Sequence, residues 1–110
     1  METSAVRAGR LLQRLFAGLP QPIAFRLWDG SLVAAGTPGD AGFAVVIPQR
    51  ATLRRLLRSP SALAFGEAYV EGAIDVEGDF FRAMEVAQHV DVLRPSLGVR
   101  AAAAWEALRP

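Results

Sequence analysis

The chain has 110 residues, 52% of them hydrophobic and 21% charged, which gives one globular domain with room for a single core and excludes a disordered chain. It has no cysteine, so disulfides, thiolate nucleophiles, iron–sulfur clusters and thiolate zinc sites are excluded. The net charge of +1 joins two unlike halves, because residues 1–60 carry eight arginines against three acids and residues 61–110 carry four against eight.

In chain order, Leu12, Leu15, Phe16 and Leu19 recur at helical spacing, with Arg7, Arg10 and Arg14 on another face. The pattern predicts a basic amphipathic helix over 5–18, ended by "GLPQP". Arginines interrupt its apolar pattern, which argues against a signal peptide, and no apolar run is long enough to span a bilayer. The expected location is therefore cytoplasmic. Ile23, Phe25 and Leu27 then alternate with Ala24, Arg26 and Trp28, and Asp29-Gly30 before "SLVAAG" signals a hairpin. After "TPGDAG", the run "FAVVIP" supplies a third strand with Phe43, Val45 and Ile47 on one face. Three strands joined by short turns over 23–48 predict an antiparallel meander.

Beyond Pro48 the period changes again. Leu53, Leu56 and Leu57 lie opposite Arg50, Arg54 and Arg58 in a second basic helix, and Ser59-Pro60 reads as cap and first turn of another that stops at Gly72. Together these place helices over 50–71. "AIDVEG" alternates Ile74 and Val76 with Asp75 and Glu77, predicting a strand over 73–77 with one acidic face. Gly78 turns the chain, and Asp79 is placed as N-cap of a helix over 79–90 whose inward stripe is Phe80, Phe81, Met84 and Ala87 or Gln88. An alanine-rich helix over 96–108 carries Trp105. This order predicts an α+β domain, an antiparallel sheet covered on one face by helices.

The motifs that could carry chemistry are weak. Asp75, Glu77 and Asp79 alternate as early calcium-loop ligands do, but the glycine and terminal glutamate of such a loop are missing. A charged strand edge followed by a helix cap accounts for them. The glycines of "AAGTPGDAG" lead into a strand, whereas a phosphate cradle leads into a helix N-terminus. His89 is the only histidine, and no triad or zinc set can be built around it. No metal and no cofactor is expected. The two arginine stripes have a solvated face as their default reading. Attraction to an anionic membrane surface, at about 1 kcal/mol per basic residue, is the functional alternative. Nucleic acid is disfavoured, since the aromatics do not interleave with the arginines.

One stretch adds to this reading. Residues 23–88 resemble the sterol carrier protein type two superfamily through Phe65, Tyr69, Gly72, Ile74, Val76, Gly78 and Asp79. More closely, "ALAFGEAYVEGAIDVEGDFFRAM" is similar to the N-terminal domain of cyclopropane-fatty-acyl-phospholipid synthases. Its most specific part is Gly66-Glu67-Ala68-Tyr69 with Gly72, while Phe65 stands where leucine is common and Glu71 where aspartate is common. The resemblance implies a sterol-carrier-like fold that engages phospholipid or its acyl chains. Those synthases continue into a methyltransferase domain with an S-adenosylmethionine site, whereas this sequence stops at Pro110. The expectation is a noncatalytic domain beside a methyltransferase in the same or a separate chain, peripheral on the inner membrane face. By composition Phe25, Phe43, Phe65, Tyr69, Phe80, Phe81 and Met84 are core residues, and in a lipid carrier they would line an acyl tunnel. The rival expectation is an interaction module that docks or dimerises a methyltransferase, itself a homodimer in that case, without touching lipid.

Overall fold

Capping chemistry sets most element boundaries in the computed structural model, which describes residues 3–58, 61–92 and 97–108. The Thr3 side chain accepts from the Val6 amide and opens helix α1, Ser4–Leu15. The helix ends before the predicted 18. Phe16 and Leu19 are still buried beyond its last turn, so apolar spacing alone overstates its length. Helix α2 is Arg50–Arg58 and helix α3 is Ala62–Val70. The cap of α3 is Ser61, whose side chain accepts from the Ala64 amide at 3.1 Å. The predicted cap Ser59 lies outside the described residues. Helix α4 is Phe80–Ala87, followed by a 3-10 turn at Val90–Val92, and helix α5 is Leu97–Leu108. The predicted start of α5 at Ser96 also lies outside the described residues.

Strands β1 (Pro22–Arg26), β2 (Leu32–Gly36), β3 (Phe43–Val46) and β4 (Asp75–Gly78) form one sheet in the order β2-β1-β3-β4. β1 and β2 form the predicted antiparallel hairpin, with Phe25 opposite Val33. Gly30, at φ 85, makes its turn. The meander does not continue. β3 pairs parallel to β1, Phe25 beside Val45, and β4 closes the far edge antiparallel to β3. The domain is α+β as expected, but its sheet is mixed. The reason lies in the 37–42 loop, where the Thr37 amide donates to the Gln21 carbonyl and its hydroxyl to the Leu19 carbonyl. That anchoring carries the chain across the start of β1 to its other edge. β3 is buried at Phe43, Ala44 and Val45, as an inner strand should be.

One face of the sheet points into the protein and the other to solvent. Ile23, Phe25, Ala35, Phe43 and Val45 are buried on the inner face. On the outer face, Arg26 Nε on β1 donates to Glu77 Oε1 on β4 at 2.7 Å across the intervening β3. Over the β2-β1 half, α1, α2 and α5 pack a solid core in which Leu12, Leu19, Phe25 and Ile47 are almost fully buried. The β3-β4 half is covered by α4, and there the filling is incomplete.

Candidate ligand cavity

α3 and α4 are apolar helices that bury little. Ala68 is the one buried residue of α3, and Val86 that of α4. The apolar residues of a helix ordinarily face a core. Here Leu63, Val70, Phe81 and Met84 all remain exposed, Val70 at 87% and Phe81 at 78%. Between these helices and the inner face of β3 and β4 lies an open cavity of about 450 Å³, within the range of small-molecule sites. Its walls are the rings of Phe16, Phe43, Phe65, Tyr69 and Phe80 together with aliphatic side chains from the sheet and both helices. Among the described residues that line it none is charged, and only Tyr69 and Gln88 bring polar side-chain atoms. An ordered water needs two to four polar partners, so the wall suits an apolar occupant better.

The cavity traces to small residues. Ala62 and Gly66 on α3, with Ala83 and Ala87 on α4, stand at wall positions that a filled core would give to larger side chains. Gly66 is the informative one. It sits mid-helix, where glycine destabilises by roughly 0.5–1 kcal/mol relative to alanine, and a Cβ there would meet nothing within 4 Å. Neither backbone nor packing requires glycine at this position. Gly66 lines the cavity and is itself exposed, so a side chain there would stand at the rim.

Polar links outside the cavity hold α3 in place over it. At its start the Asp91 carboxylate accepts from the Ala62 amide at 2.9 Å. At its end Arg55 Nη1 lies 2.6 Å from Glu71 Oε2, and that hydrogen bond holds the Glu71 carboxyl below the usual carboxylate range. The Ala73 amide also returns to the Ala68 carbonyl. Gly78 and Asp79 then attach α4 to the sheet. The Asp79 amide donates to the Gly42 carbonyl, while its carboxylate accepts from the Arg82 amide and caps α4, as the sequence predicts. Gly78 has φ 86, and a Cβ there would fall 2.5 Å from the Gly42 carbonyl oxygen. The Gly-Asp pair therefore fixes α4 to the sheet through backbone geometry.

Five of the seven residues expected to line an acyl tunnel are on the wall: Phe43, Phe65, Tyr69, Phe80 and Met84. Phe25 is not. It is 0% exposed and meets Phe16 ring to ring, tilted by 50° at 5.2 Å, inside the solid core. Phe81 is not on the wall either, because the inward side of α4 runs through Phe80, Ala83, Val86 and Ala87. Sequence reasoning missed Phe16, which touches both regions by standing 5.2 Å from Phe25 and 6.4 Å from Phe65. It also missed the aliphatic wall, including Ile23, Val45, Ile74 and Val86. Alternation in the strands was the available signal for Val45 and Ile74, but the expectation concentrated on aromatic rings.

The arginine stripes are divided. Arg7 faces α5, its Nε 3.8 Å from Glu106 Oε1. Arg50 and Arg54 are half-buried, while Arg10, Arg14 and Arg58 are exposed. His89 Nδ1 lies 3.3 Å from Gln21 Nε2 and 3.1 Å from the Glu85 carbonyl at the end of α4. Among the described residues no group of His, Asp and Glu side chains could hold a metal ion. No helix among them is long and apolar enough to cross a membrane.

Residues 9–91 match a family described as Domain of unknown function (DUF7884). The chain belongs to that family. The match takes in the whole sheet, α2 to α4 and every residue that lines the cavity. Among curated proteins and solved structures no match is found.

Proposed function

We propose that this chain is a noncatalytic lipid-holding domain that takes an acyl chain into the cavity under α3 and α4. The observation that carries the reading is an open apolar cavity lined, among the described residues, by no charged side chain, with a glycine in its helical wall that packing does not require. The similarity of the α3-β4-α4 stretch to the N-terminal domain of cyclopropane-fatty-acyl-phospholipid synthases supports it, and suggests a methyltransferase as the catalyst that acts on the held lipid. The reading carries a cytoplasmic location at the inner membrane face. It is tested by denaturing mass spectrometry of solvent extracts from the purified protein. Co-purified acyl lipid is the expected result, together with no methyl transfer when the chain is incubated with S-adenosylmethionine and phospholipid. Turnover above a heat-killed control would contradict the noncatalytic part.

A second reading, an interaction module for the same kind of enzyme, is favoured by one feature. The solvent side of α5 carries Ala101, Ala104, Trp105 and Leu108, all exposed, with Trp105 at 69%. Extracts free of lipid, combined with self-association lost on Trp105→Glu, would put this reading first.

A further inference from the structure

Resting on the lipid-holding reading, we propose that the mouth of the cavity selects an amphiphile whose head is an ammonium cation. Three aromatic rings run from the cavity wall to solvent. Tyr69 on α3 and Phe80 on α4 have centroids 5.3 Å apart at 38°, and Phe80 and Phe81 are 6.2 Å apart at 71°. Tyr69 and Phe80 also line the cavity, whereas Phe81 stands outside it. All three are exposed. Their planes differ, so together they offer π faces turned in several directions at one place, and a cation within about 6 Å of a ring centroid is attracted to such a face. A mouth that only had to pass an alkyl chain would need hydrophobic side chains but not rings.

One carboxylate shares a helix face with the outer ring: Glu85 follows Phe81 by one helical turn on α4. The nearest cations go with the other carboxylates: Arg82 lies over Gly42, whose carbonyl accepts from the Asp79 amide, and Arg55 is bonded to Glu71 and attracted by Glu67. An ammonium head at the mouth would meet ring faces with Glu85 close by, while a sulfate or phosphate monoester would meet the negative faces of the same rings and that carboxylate. The tail would lie in the uncharged cavity. The arginine faces belong to α1 and α2, so attraction of the domain to an anionic surface is separable from choice of headgroup at the mouth.

The test compares decyltrimethylammonium, decyl sulfate and decanol, which share one tail. Each is titrated calorimetrically into the whole chain below its micellar concentration, with far-UV circular dichroism confirming the fold. The ammonium should bind about tenfold more tightly than the sulfate, with decanol between them. Phe81→Leu, which keeps an apolar side chain and removes the ring, should narrow the gap, as should Glu85→Gln. Decanol binding should be unchanged in both variants. Equal affinity for the two ions, tighter sulfate binding, or a gap that persists in both variants would overturn the inference and leave the acyl cavity standing. Failure of all three ligands, decanol included, would overturn the cavity reading and this inference with it.

Discussion

Asp79 does two jobs through two groups, and both can be read in its sequence context. Its carboxylate caps α4 by accepting from the Arg82 amide at 3.1 Å, and its amide ties the start of that helix to Gly42 on the neighbouring strand. Asp79→Ala removes only the first, so it should lower stability by about 1 kcal/mol. A denaturant midpoint equal to wild type would contradict the cap. This contact was legible because capping is local: a carboxylate, a preceding glycine and a following apolar run are enough to define it. Phe81 shows the opposite case. Phe80 and Phe81 are adjacent in a helix of only eight residues, and both fit an inward stripe when nothing else fixes its phase. The packing of Ala83, Val86 and Ala87 against the sheet sets that phase, and it turns Phe81 to solvent.

Among the elements, β3 and α3 depart furthest from what local patterning implies. β3 looked like the third strand of a meander because the turn before it is short. Its apolar character on both faces, Ala44 and Val46 as well as Phe43 and Val45, was the signal for an inner strand. The Thr37 contacts that carry the chain over β1 join residues 16 and 18 positions apart in sequence, beyond the reach of a local pattern. α3 was found from its residues, but its emptiness beneath was not, since a filled and a hollow core draw on the same residue types. Gly66→Leu removes a mid-helix glycine whose added Cβ would meet nothing within 4 Å, so the helix should gain roughly 0.5–1 kcal/mol. Chemical denaturation should show a midpoint at or above wild type. A clear drop would mean that Gly66 has a packing role after all.

At the scale of the whole molecule, one face of one sheet is covered in two different ways. The β2-β1 half supports a solid core under α1, α2 and α5, which supplies the stability of the domain. The β3-β4 half supports two helices with small inward residues and exposed apolar outer faces, which leaves a cavity. This division lets a site be hollow without loosening the fold. The sequence announced the α+β class and the amphipathic helices, because periodicity reports which residues face inward. It was silent on what lies between the inward faces. The most direct measurement is saturable binding of a fluorescent acyl probe to the wild-type chain, displaced by unlabelled alkyl chains of increasing length. Each added methylene should strengthen displacement about fourfold, from roughly 0.8 kcal/mol per buried methylene, until the cavity is full. Ala83→Phe should abolish binding and Gly66→Leu, at the rim, should weaken it, while the protein remains folded. Absence of saturable binding by the wild type, or binding unchanged in both folded variants, would contradict the account.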